Sequence, residues 1–146
     1  GKLNNYELRI TNYELRITNC KLYITNLCMK ENIVQIKSYA FAVRIVNLYK
    51  QLCEHNKEYI LSKQLLRSGT SIAANIEEAI GGQSEKDFLS KLSIAYKEAR
   101  EALFWIRLLT DTNYIDKAES ESLMYDADEL LKIIGSIQKT LRNKNA

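Results

Sequence analysis

His55 is the single histidine of the chain, so the side chain that most often moves protons or binds metals occurs once. The Glu-x-x-His pairs of di-iron bundles and the three-ligand sites of catalytic zinc cannot be assembled around it. No arginine stands close upstream to form the Arg-His pair of a helical ribonuclease. Gly81-Gly82 is too short for a phosphate-cradling loop, and no Gly-Lys-Ser/Thr follows it. The adjacent carboxylates Glu77 and Glu78 read as a solvated helix face rather than an acid/base dyad. With no catalytic set left, the expectation is a protein that is not an enzyme and carries no metal or cofactor.

Two polar sets survive these exclusions. Ser68, Ser71, Asn75 and Glu78 follow helical spacing; small hydroxyls with an amide can join helices by hydrogen bonds, with ligand binding as the alternative. Lys86, Arg100 and Arg107 fall on one line at multiples of seven, with Lys97 beside it. Taken alone this line is a solvated face. Repeated around the axis of a symmetric oligomer it becomes a set of basic ridges able to track phosphates, which makes these four residues the candidate RNA or DNA contacts.

The elements that must carry these residues are helices. Phe88, Leu92, Ala95, Ala99, Ala102, Ile106 and Leu109 alternate steps of four and three, and Leu123, Ala127, Leu130, Ile134, Ile137 and Leu141 do the same. No proline interrupts the chain. Four helices are expected. The first runs from about Glu31 to Cys53, with Ile36, Ala40 and Val43 on one stripe and Phe41, Ile45, Leu48 and Leu52 on another. The second runs from about Glu58 to Ile80 on the seam Leu65, Gly69, Ile72, Ile76 and Ala79, with Gly81-Gly82 as its C-terminal cap. The third starts at Ser84, where Ser-Glu-Lys-Asp is a variant capping box, and continues to about Thr110. The fourth runs from near Asp116 to about Arg142. Short links make neighbours antiparallel, so the fold class is all-α, an up-down-up-down four-helix bundle.

The third helix carries more apolar surface than one seam requires. Leu89, Tyr96 and Leu103 recur at seven-residue intervals, and Phe104, Trp105 and Leu108 make its end apolar nearly all round. Together with the second stripe of the first helix, these six residues are candidates for a subunit interface. The alternative is a central third helix wrapped by its own chain.

Upstream of Met29 the character changes. Residues 5–11 and 12–18 both read NYELRIT, and residues 19–25 read NCKLYIT. The unit alternates as a strand would, while its period also places Tyr6, Ile10, Tyr13, Ile17 and Ile24 on one helical stripe. The β-branched and aromatic content favours an extended arm. The expected division is therefore an arm over residues 1–28, translated from repeated DNA ahead of a start at Met29, and a bundle domain over residues 29–146. Of the 21 basic and 18 acidic residues, four and two lie in that arm, which leaves the bundle near neutral at +1. Charge in the last helix is segregated, acidic early and basic late in Lys132, Lys139, Arg142 and Lys144, as the helix dipole favours. Cys20, Cys28 and Cys53 are odd in number, lack metal-ligand spacing and read as free thiols of a reducing compartment. With no apolar run of span length, a cytoplasmic protein without a membrane partner is expected.

The same residues carry a resemblance. The run QLLRSGTSIAANIEE from Gln64 to Glu78, then Gly81, Ser84, Asp87, Phe88, Leu92, Ile94, Ala95 and Glu98 to Leu109, resembles the bacterial bundle proteins encoded in intervening sequences of 23S ribosomal RNA genes. That family is also labelled S23 ribosomal protein and is similar to the accessory variability protein of diversity-generating retroelements. The resemblance covers about residues 33 to 142 and is most specific from Arg67 to Ile76. Gly69 stands where the family usually has alanine, and the link near His55 lacks the family's usual proline. The resemblance implies a ring-like homopentamer without enzymatic activity, whose retroelement relatives bind nucleic acid and a reverse transcriptase.

Overall fold

A computed structural model describes residues 4–146; the side chains of residues 5, 6, 10, 13, 31 and 32 lie outside the described set. Four helices follow one another: α1 (Asn5–Asn56), α2 (Leu61–Ile80), α3 (Glu85–Asp111) and α4 (Lys117–Lys144). Each packs on the next and α4 returns to α1, the contact ring of an antiparallel up-down-up-down bundle. The seams read from the sequence are its core. Leu92, Ala95, Ala99, Ala102, Ile106 and Leu109 of α3 meet Leu65, Ile72 and Ile76 of α2, Phe41, Ile45 and Leu52 of α1, and Leu123, Leu130 and Ile134 of α4 in one buried cluster.

The first helix corrects the sequence reading. It begins at Asn5 rather than near Glu31, and the upstream repeat is helical rather than extended. Two physical causes account for this. Asn4 and Glu7 cap each other: the Asn4 N–H donates to Glu7 Oε2 at 2.9 Å and the Glu7 N–H donates to Asn4 Oδ1 at 2.8 Å. The hydroxyls of Thr11, Thr18 and Thr25 each donate to the carbonyl four residues back, all at 2.9 Å, so the β-branched residues are satisfied inside a helix. A seven-residue unit spans almost two helical turns, so each copy repeats the same face. Of the stripe named above, Ile17 and Ile24 are exposed, while the side chains of Tyr6, Ile10 and Tyr13 lie outside the described residues. Where α1 meets the bundle, Leu27 packs against the core, the Tyr23 hydroxyl donates to the Thr140 carbonyl (3.4 Å) and Lys30 Nζ donates to Ser136 Oγ (3.0 Å).

The helix ends follow side-chain chemistry, with one exchange of roles. Ser84 caps α3 by accepting from the Asp87 N–H (3.1 Å), as its sequence suggests, and Asp116 caps α4 by accepting from the Glu119 N–H (2.9 Å). The α2 terminus is capped by Glu58, whose carboxylate accepts from the N–H groups of Ile60, Leu61 and Ser62 at 3.1, 2.8 and 2.7 Å. Gly81 is the C-cap of α2, as the sequence suggests, with its N–H donating to the Glu77 carbonyl and the Gly82 N–H to that of Ala79, but it holds φ −80; the left-handed conformation falls instead to Lys57 (φ 54) and Asn113 (φ 64). Gly82 sits in tight quarters, since a Cβ there would lie 3.0 Å from the Ala79 carbonyl oxygen and 2.8 Å from Asp87 Oδ2, the latter the end of an exposed side chain that can swing away.

Candidate functional site

Of the polar set on α2, Glu78 reaches a neighbouring helix, whereas Ser68, Ser71 and Asn75 bond within α2 rather than joining helices as expected. Ser68 is buried and donates to the Gln64 and Leu65 carbonyls of its own helix, and Asn75 Nδ2 donates to the Ser71 carbonyl (2.8 Å) and Ser71 Oγ (3.1 Å). A short side chain on a helix reaches its own preceding turn before it reaches a neighbour. The adjacent carboxylates bind opposite neighbours: Glu77 accepts from Gln35 of α1 at 3.0 Å, and Glu78 accepts from Lys91 of α3 at 2.6 Å. His55 sits exposed in the last turn of α1, and all three cysteines are free.

Several cations are consumed in stitching the bundle. Lys37 pairs with Glu129 (2.9 Å) and Arg44 with Asp126 (2.5 Å) between α1 and α4, while Arg67 pairs with Glu98 (3.2 Å) and Glu101 between α2 and α3. Glu129 beside Lys37 and Glu78 beside Lys91 raise those ammonium groups above their ordinary values.

The four candidate cations are not used this way. Lys86, Lys97, Arg100 and Arg107 are exposed on α3, and none makes an ion pair among the described residues. The structure divides them. Lys97 opens into a groove of about 530 Å³ between α3 and α4, where it meets Lys139 and Arg142 of the last helix. Gly135 forms part of the floor, its missing Cβ lying 4.0 Å from the Tyr96 ring. Buried Gln138 ties the two helices together beneath by donating to Ser93 Oγ at 3.0 Å. Arg100 and Arg107 flank Phe104 in a second open depression of about 510 Å³. Lys86 stands apart near the start of α3, in neither depression. Lys139 and Arg142 were visible in sequence only as the basic end of a helix; the antiparallel pairing of α3 with α4 is what turns them toward Lys97.

Of the six interface candidates on α3, Phe104 is 48% exposed, whereas Leu89, Tyr96, Leu103 and Trp105 pack in part against the core and Leu108 is half-buried. Phe104 and Trp105 meet in a T-shaped contact, ring centroids 4.9 Å apart at 69°. Trp105 Nε1 in turn donates to Glu101 Oε1 (3.1 Å). The Arg67 guanidinium, then the Trp105 indole, hold the Glu101 carboxyl below the ordinary range. The broader exposed apolar surface lies on the other side, where Met29, Ile33, Ile36, Ala40 and Val43 follow one stripe of α1 and Ile36 is 62% exposed.

A family model described as 23S rRNA-intervening sequence protein matches residues 30–136. A solved structure of a protein with unknown function from the S23 ribosomal protein family of Bacteroides thetaiotaomicron is 54% identical, with a TM-score of 0.74, and the similarity covers 75% of this chain and 98% of that one. No protein of curated function matches the chain. Among the described residues, no helix is long and apolar enough to cross a membrane.

Proposed function

The chain belongs to the 23S rRNA-intervening sequence protein family, and from that premise we propose that it is a non-enzymatic, oligomeric interaction protein whose cargo is nucleic acid. One observation carries the reading: Lys97, Arg100 and Arg107 on α3, with Lys139 and Arg142 across the groove, form a cationic face without an ion pair among the described residues, and Lys86, likewise unpaired there, lies apart near the start of α3. Exposed cations without carboxylate partners are free to release phosphate counterions, which drives sequence-independent binding.

Assembly is the second part of the proposal. A stripe running Met29, Ile33, Ile36, Ala40 and Val43 exposes contiguous apolar surface on α1, and monomers rarely leave such surface uncovered. A ring of identical subunits, a homopentamer by the family resemblance, would cover it and repeat the cationic face around an axis. A reverse transcriptase or another protein is the partner class that the same resemblance suggests for the assembled ring in the cytoplasm.

The test has two arms. Light scattering should give an oligomer, and Ile36→Glu with Val43→Glu should dissociate it without loss of helicity; a wild-type monomer at micromolar concentration refutes the assembly. Arg100→Glu with Arg107→Glu should abolish retention on RNA or DNA while leaving the oligomer intact, and log affinity should fall linearly with log salt. No binding by the wild-type protein at low salt refutes the nucleic-acid reading and turns attention to a protein cargo.

A further inference from the structure

We propose that the Arg100–Phe104–Arg107 face is a stacking site for unpaired bases, so that the protein prefers single-stranded to duplex nucleic acid. This inference rests on the nucleic-acid reading above and specifies which form is bound and how. The three residues follow i, i+4, i+7 spacing on one side of α3, with the ring between guanidinium groups rooted about 10 Å apart along the axis. All three line the same open depression.

An exposed phenylalanine by itself calls for no explanation. This one is held in place. Its ring makes an edge-to-face contact with Trp105, Trp105 is fixed through Nε1 to Glu101, and Glu101 is anchored by Arg67 reaching across from α2. The aromatic is therefore positioned before any ligand arrives, and it has charge on both sides. That arrangement matches a nucleotide strand, whose π-faces stack on aromatic side chains while its phosphates seek cations. A duplex cannot use it, because its bases are already stacked on one another. The path continues past Lys97 into the α3/α4 groove, where Lys139 and Arg142 meet the next phosphates. A run of this length suits about four nucleotides.

A second copy of the chain fits the same face poorly. Covering Phe104 in a protein interface would desolvate two unpaired guanidinium groups, whereas the apolar stripe on α1 offers a surface without that cost.

Fluorescence anisotropy at low salt, with a labelled oligo-uridine of about 12 nucleotides and a duplex of equal length, tests the proposal. The wild-type protein should bind the single strand more tightly. Phe104→Leu should lower single-strand affinity about tenfold and leave duplex binding unchanged, and Phe104→Trp should retain the preference; light scattering should show the same oligomer throughout. Equal binding of both forms, or an equal loss on both with Phe104→Leu, overturns the stacking site while leaving the broader reading intact. Dissociation of the oligomer by Phe104→Leu also overturns it, assigning the ring to a subunit interface. Absence of binding to either probe by the wild-type protein defeats the broader reading itself.

Discussion

Replacing Gly69 by alanine should destabilise this bundle, although the same change in an exposed helix would stabilise it. Alanine is favoured over glycine inside a helix by about 1 kcal/mol. Here the new methyl would lie 2.8 Å from Ile45 Cγ1, 2.9 Å from Ile45 Cγ2 and 3.3 Å from Ile45 Cβ, against the roughly 3.5–4.0 Å at which carbon atoms rest. Ile45 cannot move aside cheaply, being fully buried and β-branched with a stiff χ1. Overpacking of this kind costs about 1–3 kcal/mol, so the net effect is a loss of about 1 kcal/mol, a fall of about 2–4 °C in Tm for a domain of this size. The decisive measurement is a double-mutant cycle with Ile45→Ala, followed by urea denaturation at one fixed protein concentration. Ile45→Ala alone costs about 2–5 kcal/mol. In that background both Cγ atoms are gone, and Gly69→Ala should stabilise by up to about 1 kcal/mol. The effect of the glycine replacement should thus change sign. A rise in stability with Ile45 present, or the same effect in both backgrounds, would refute the steric argument.

The remaining predictions concern caps, polar groups and the upstream helix. Burial alone would push the Glu58 carboxyl up, but the N–H groups of Ser62, Leu61 and Ile60 outweigh it and hold the carboxyl below its ordinary value. Its contribution is therefore present above the ordinary glutamate value of about 4.3 and is lost as pH falls through the lower folded value. Glu58→Gln should cost about 1 kcal/mol at pH 7, and the gap from wild type in thermal melts should close as the pH drops below about 4. Asn75→Ala removes bonds made only within α2, so it should cost under about 1 kcal/mol; a larger loss by chemical denaturation would mean that the amide serves another helix. A chain starting at Met29 should keep a cooperative helical transition and lose about 1–2 kcal/mol through Tyr23 and Leu27, whereas one starting at Asn19 should melt like the full chain. Failure of the Met29 chain to fold would make the upstream segment part of the core.

The seams were legible in the sequence because burial of an apolar stripe is a periodic property. Every α3 position from Leu92 to Leu109 on the four-three ladder is buried. The upstream repeat misled because Tyr, Ile and Thr favour strands residue by residue, whereas the reciprocal Asn4–Glu7 cap and the Thr hydroxyls act at spacings of three and four. The Gly81 cap was legible from composition, whereas the left-handed turns at Lys57 and Asn113 were not, because they lie at residue types that only the path of the links forces into that conformation. The cationic line on α3 was visible as spacing. Its partners Lys139 and Arg142 depend on how two helices align, and the fixed pose of Phe104 depends on a relay through Trp105 and Glu101 to another helix. Neither is encoded locally.

The seven-residue unit at the start of α1 has a geometric consequence. Ile17 and Ile24 precede the buried Ser38, Ile45 and Leu52 by multiples of seven, as Cys20 and Leu27 precede Val34, Phe41 and Leu48. The repeat is thus in phase with the core seam it leads into. Gaining or losing one unit would change the projecting rod by about 10 Å and rotate its tip by only about 20°, with the bundle's own packing untouched. The segment behaves as a ruler whose graduations are whole repeats: its reach can be altered in steps while the direction it faces stays nearly constant.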